Sequence, residues 1–177
     1  EGLLARPDYR VILDDIQESA FEGDEQISLA ELNRTVFIPK RDEEIVKIIQ
    51  ERTADIDNPR IIVFCPSIEH TERIAKLLPG AKALHSKLGN KTKGIIDSFR
   101  EGAIPAMVTI DMFNEGVDIP EANVIVFLRT TQSETIFLQQ LGRGLRKLPG
   151  KEEVMVLDFV ANCDRLMMIE KLLAGTR

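Results

Sequence analysis

Cysteine and histidine are scarce in this 177-residue chain, at two each. Cys65 and Cys163 stand far apart in apolar surroundings, and no metal-ligand spacing occurs, so a zinc-centred site is excluded. The two thiols are expected to be buried and free, in a reducing compartment. Long apolar runs are also missing. No window approaches 18 uncharged apolar residues, which excludes a membrane-spanning helix. No basic-then-apolar leader opens the chain, and a cytoplasmic location is the expectation. Position 1 is Glu rather than Met, as in a piece of a longer protein. Two nucleotide-binding signatures are absent. No GxxxxGKS or GxxxxGKT loop occurs, and no GxGxxG follows a strand-like run. A self-contained phosphate cradle of either type is excluded.

What is present begins with an ordinary apolar fraction of 44%, enough for the core of one domain or one domain with an extension. The net charge of −6 is unevenly placed. Residues 1–35 hold nine acids against three bases, which accounts for all of it and leaves residues 36–177 neutral. Two local patches are basic. Lys82 to Lys93 carries four lysines and no acid, and Arg129 to Lys151 carries five bases against Glu134. Such patches are candidates for phosphate contact, whatever the total charge.

Residues 1–35 read as an acidic linker or the end of a preceding domain, with a short strand at Val11–Leu13 and a capping box at Ser28-x-x-Glu31. From Val36 the pattern becomes regular. A short run, Val36–Ile38, ends at Pro39, and helical spacing of Ile45, Ile48 and Ile49 follows over Asp42–Arg52. Arg60–Cys65 is a β-branched apolar run of strand length, suited to a parallel strand buried on both faces. Ser67 can cap the next helix, with Ile68, Ile74, Leu77 and Leu78 facing inward. A strand at Ala81–Leu84, a helix at Lys91–Arg100, and strands at Pro105–Ile110, Val124–Leu128 and Glu153–Phe159 complete the alternation. Helices are expected over 133–147 and Asp164–Leu173. This is an α/β pattern: a parallel sheet covered by helices on both faces, over residues 36–177.

The chemistry-bearing stretch is Phe137–Lys147, with Gln139, Gly142, Arg143 and Arg146 at spacings of three, one and three. On a helix, residues three apart share a face. Two guanidiniums on one face offer rigid, permanently charged forks for phosphate oxygens, although a solvated basic face has the same pattern. Upstream lies Thr109-Ile-Asp-Met-Phe-Asn-Glu-Gly-Val-Asp-Ile-Pro120. Asp111, Gly116, Asp118 and Pro120 fit motif V of superfamily 2 helicases, and Gln139, Gly142, Arg143 and Arg146 fit their motif VI throughout. Arg60–Ser67 resembles motif IV. His85-Ser86 followed by Phe99-Arg-Glu-Gly102 resembles the segment after it. The chain therefore resembles the second, C-terminal RecA-like domain of such a motor. Its flavour is that of the DNA-translocating branch with restriction-enzyme motor subunits and repair helicases.

The resemblance implies an ATP-dependent helicase in which ATP and Mg²⁺ sit between two domains. An upstream RecA-like domain would supply Walker A and B and hold the Mg²⁺; this one would supply charge across the gap. It implies Arg146 as an arginine finger, Arg143 as its partner on the γ-phosphate and Gln139 as a polar ligand. Gly116 would allow close backbone approach, and Asp118 would accept from the ribose hydroxyls. For nucleic acid, DNA or alternatively RNA, it implies contacts from Ser67, His85, Ser86, Thr109 and Lys93. Two departures stand out. Ile110 occupies the place directly before Asp111 where the family often has Thr, so Thr109 lies one residue early. Lys93 stands near where an Arg is usual. No Walker A or acidic Walker B strand is present, so the chain is half of an active site and is expected to be inactive alone. The alternative is a non-catalytic α/β scaffold that binds nucleic acid or protein.

Overall fold

The computed structural model describes residues 5–12, 39–110, 119–128 and 148–159. In chain order these form β1 (Arg6–Val11), α1 (Pro39–Thr53), β2 (Ile61–Phe64), α2 (Ile68–Leu77), β3 (Lys82–Leu84), a 3₁₀ turn (Ser86–Leu88), α3 (Lys91–Glu101), β4 (Ala106–Thr109), β5 (Val124–Phe127) and β6 (Glu153–Asp158). The strands make one six-stranded sheet in the order β1-β6-β5-β2-β4-β3, and every neighbouring pair is parallel. The expected α/β fold with a covered parallel sheet is the fold observed.

The reason lies in the apolar runs. In β2, β4 and β5 every residue is buried, so successive side chains fill opposite faces of the sheet. One face carries Ile62, Phe64, Met107, Ile125 and Phe127, packed with Ile96 and Phe99 of α3. The other carries Ile61, Val63, Val108, Val124 and Val126, packed with Ile45 and Ile49 of α1 and Ile74 of α2. Each such side chain contributes roughly 1.5–3 kcal/mol of burial free energy, so the two layers together hold the sheet.

Three details differ from the sequence reading. Helix α1 begins at Pro39, three residues ahead of Asp42, because proline's fixed φ suits a first helical turn. The edge strand spans Arg6–Val11, in register with β6 from Arg6↔Glu153 to Val11↔Asp158, so it starts five residues before the expected Val11, and Leu13 lies outside the described residues. Leu77 does not point inward but is 40% exposed. The inward stripe of α2 runs through His70, Thr71 and Ile74 to Leu78 just beyond its end, and Leu77 lies at its margin. The expected run Val36–Ile38, the capping box at Ser28 and the helices over 133–147 and Asp164–Leu173 lie outside the described residues.

Cys65 directly follows β2 and is fully buried as a free thiol. Burial pushes its pKa up, against the opposing hydrogen bond with Thr71. The thiolate is the reacting form, so Cys65 should be inert in the folded protein. Peptide-level mass spectrometry after iodoacetamide treatment should find Cys65 unmodified in native buffer and fully modified in denaturant. Alkylation in native buffer at the rate of an unfolded peptide would contradict this packing.

Candidate functional site

In an all-parallel sheet the chain leaves every strand at the same end, and ligands collect where adjacent strands send their connections in opposite directions. Here β2 leads through α2 to β3 on one side, whereas its neighbour β5 leads to β6 on the other. The crevice beyond the carboxyl ends of β2 and β5 is therefore the default ligand position. The last residues of those two strands, Phe64 and Phe127, are register partners buried in the core, with ring centroids 5.3 Å apart and planes 15° apart. Cys65-Pro66-Ser67 follows β2 at this end, and Leu128 follows β5.

Ser67 is the N-cap of α2. It has extended backbone angles, and its Oγ accepts from the His70 backbone N–H at 3.1 Å. Its carbonyl accepts from the Thr71 N–H and hydroxyl at 3.0 and 2.9 Å. The cap expected from the sequence is thus present, and it fixes Ser67 at the rim of the crevice. Ser86 opens the 3₁₀ turn after β3 and is exposed. Lys93 is exposed in the first turn of α3, and Lys82, Lys87 and Lys91 are exposed as well. The first turn of α3 contains no acid. The positive end of its helix dipole and the lysines therefore present charge of one sign. Between Ser86 and α3 the chain turns at Gly89, whose φ of +54° disfavours any residue with a Cβ, although the space around it is open.

His85 and Thr109 are placed differently. Both are buried, His85 at 4% exposure and Thr109 at 0%. His85 Nε2 lies 2.6 Å from Glu72 Oε1 on α2. Thr109 ends β4, and its hydroxyl has no hydrogen-bond partner among the described residues. So Ser67, Ser86 and Lys93 share the open end of the sheet, while His85 and Thr109 lie beneath its surface. Gly116, Asp118, Gln139, Arg143 and Arg146 lie outside the described residues, as do Asp111 and Gly142.

Two polar constellations have no counterpart in the sequence reading. Asp42, 1% exposed in the first turn of α1, accepts from Arg73 Nε at 2.8 Å and Nη2 at 2.5 Å, and His70 Nε2 lies 2.9 Å from its other oxygen. His70 and Arg73 are three residues apart on one face of α2, so one carboxylate ties α1 to α2. At the far edge, the Tyr9 hydroxyl of β1 donates to Asp158, buried at the carboxyl end of β6. Helical spacing could pair His70 with Arg73, but no local signal joins either to Asp42, some thirty residues upstream.

With this geometry established, comparison with known proteins identifies the class. The model of the helicase conserved C-terminal domain matches residues 41–147, more than half of the chain. The chain belongs to that family: it is a superfamily 2 helicase C-terminal domain. It is 30% identical over 129 residues to a DNA 3'-5' translocase, XPB2 of Sulfurisphaera tokodaii, covering 73% of this chain and 28% of that protein. It is 28% identical over 132 residues to an ATP-dependent rRNA helicase, RRP3 of Gibberella zeae, covering 71% of this chain and 26% of that one. Among solved structures, it superposes on the fragment structure of an HsdR subunit assigned to a type I restriction enzyme of Vibrio vulnificus. The TM-score is 0.74 at 23% identity, covering 93% of this chain and 34% of that one. The chain spans less than a third of the length of the curated relatives it matches.

The Asp42 constellation makes a checkable claim. Removing one partner from a buried ion pair costs about 3–5 kcal/mol. Arg73 keeps a quarter of its side chain in solvent, which reduces that figure. Asp42→Ala should lose about 2–4 kcal/mol in urea unfolding, and a loss below about 0.5 kcal/mol would show that the cluster does not hold α1 to α2.

Proposed function

We propose that this chain is the second motor domain of an ATP-dependent DNA helicase or translocase. The observation that carries the reading is topological. The chain leaves β5 at the point where β2 and β5 diverge, and the complete Gln139, Gly142, Arg143, Arg146 pattern follows β5 in the sequence. A crevice of that kind is where an α/β sheet receives a ligand. The family match reaches residue 147 and so takes in both basic motif arginines.

In this reading ATP supplies the transferable γ-phosphoryl group, with its Mg²⁺ held by an upstream RecA-like domain that carries Walker A and B. This chain supplies the stabilising charge. Arg146 acts as the arginine finger, Arg143 shares the γ-phosphate oxygens, and Gln139 hydrogen-bonds from the same face. Gly116 lets the backbone approach the nucleotide, and Asp118 accepts from the ribose. Arginines that reach the phosphate only when the cleft closes tie hydrolysis to domain motion.

Nucleic acid runs along the open end of the sheet. Ser67, Ser86 and Lys93, with Lys87 and Lys91 beside them, contact its phosphates. Buried His85 and Thr109 support that surface from below. Such contacts read backbone rather than sequence. DNA is the favoured track. The translocase and restriction-enzyme relatives support it, and the rRNA helicase relative makes RNA the competing outcome.

The test is the ATPase rate of the full-length protein with no nucleic acid, single-stranded DNA, duplex DNA and RNA. We expect stimulation by DNA, and a loss on the order of a thousandfold in Arg146→Ala, as for arginine fingers. The isolated 177-residue chain should show no ATPase. A variant as fast as the parent would remove Arg146 from the chemistry. A full-length protein without ATPase on any track would favour a non-catalytic scaffold.

A further inference from the structure

The segment from His85 to Thr92 carries the exposed Ser86, Lys87 and Lys91, yet very little holds it. Its backbone bonds are local: Leu88 N–H to His85 O at 3.1 Å, Gly89 N–H to Ser86 O at 3.3 Å and Thr92 N–H to Gly89 O at 3.2 Å. Asn90, at the N-cap of α3, makes no capping side-chain bond. Among the described residues, one side-chain hydrogen bond ties the segment to the rest of the domain, from His85 to Glu72 at 2.6 Å. A carboxylate can only accept, so Nε2 is the protonated ring nitrogen. Among the described residues the buried Nδ1 has no partner, so the Glu72 contact is the one among them that orients the ring.

Glu72 stands five residues after Ser67 on α2, within one and a half turns of the cap at the crevice rim. Strand β4 lies between β2 and β3 in the sheet, so the exits at Ser67 and Ser86 are roughly 10 Å apart by ordinary strand spacing. A tie from α2 to His85 fixes that separation. We propose that Glu72 is a positioning residue: by holding His85, it sets the Ser86–Lys91 turn at a fixed distance from Ser67, so that both engage one nucleic-acid backbone together. This rests on the nucleic-acid reading above. Glu72 itself keeps 43% of its side chain exposed, so its replacement leaves the core intact.

The experiment uses the full-length protein and a fluorescein-labelled single-stranded oligodeoxynucleotide, with a labelled duplex alongside. Kd is measured from 50 to 200 mM salt, together with Tm and the ATPase rate without nucleic acid. Glu72→Ala should weaken binding about tenfold at 25 °C and lower the salt slope by about 1, because a phosphate contact is lost from the misplaced turn. Glu72→Asp keeps the charge but is one methylene short, and should bind as poorly as Glu72→Ala. Glu72→Gln keeps the acceptor at the same reach and should bind within about twofold of the parent. The ATPase rate without nucleic acid should be unchanged in all three. The proposal is overturned by a Glu72→Ala variant that loses only Tm while keeping Kd and salt slope. Parent-like binding by Glu72→Asp together with weak binding by Glu72→Gln would overturn it too, since charge rather than the tie would then be at work. A parent that binds neither oligonucleotide would instead refute the nucleic-acid reading on which the proposal stands.

Discussion

Burial of the central strands on both faces is the constraint from which the rest of this domain follows. Every residue of β2, β4 and β5 is buried, so no side chain within those strands is free to do chemistry. A helix-covered parallel sheet must place reactive groups on the loops that leave its strands, and the strands deliver all those loops to one end. The same two-sided packing makes that end rigid. Ser67 follows the end of β2 by three residues, through Cys65 and Pro66, and Ser86 follows the end of β3 by two, so both segments start from fixed points on the sheet. Phe64 and Phe127, opposite each other at the ends of the two diverging strands, stack their rings within the core.

Buried polar contacts do a different job from the apolar layers. A buried ion pair gains little net stability over apolar residues of similar shape, because two charges are taken out of water. What it adds is discrimination between arrangements, since any slip leaves a charge unpaired. Asp42 meeting both His70 and Arg73 fixes how α1 lies along α2. Glu72 holds the opposite flank of α2 to β3's exit. Helix α2 is thus tied on two sides, and the serine that caps it inherits that placement.

The sheet was legible because its strands are unusually uniform. Runs such as Ile61–Phe64 and Val124–Phe127 have no polar residue, and the length and β-branching of such runs favour buried strands over helix segments. Strand β1 was not legible, because Arg6-Pro-Asp-Tyr-Arg-Val11 mixes proline and three charges. Those are the marks of an edge strand, whose pairing with β6 depends on a partner nearly 150 residues away. The Gln139, Gly142, Arg143, Arg146 set rests on its resemblance to a family motif and lies outside the described residues, whereas the Ser67 cap is present and was readable from the sequence. The burial of His85 was not. A histidine at a strand end beside lysines looks like a ligand contact in one dimension, and only the fold brings Glu72, thirteen residues earlier, against its ring. Cross-element polar contacts of this kind leave no local trace, since neither partner lies on a repeating pattern.

A rigid half-site limits how the motor can work on the proposed reading. The apolar layers show no slack through which a bound phosphate could deform the sheet: Phe64, Phe127, Val63 and Val126 are each at most 2% exposed. Close-packed interiors respond to force by moving as bodies rather than by yielding. If nucleotide charge is felt through arginines leaving β5, the response must be a displacement of the whole domain relative to its partner. The nucleic-acid rim, built on β2 and β3 of the same sheet, is carried with it. The link between the two sites is then the sheet itself, with β5 and β2 adjacent and paired along their full length. No separate relay is needed, and a residue such as Glu72 matters because it makes the rim part of that rigid body.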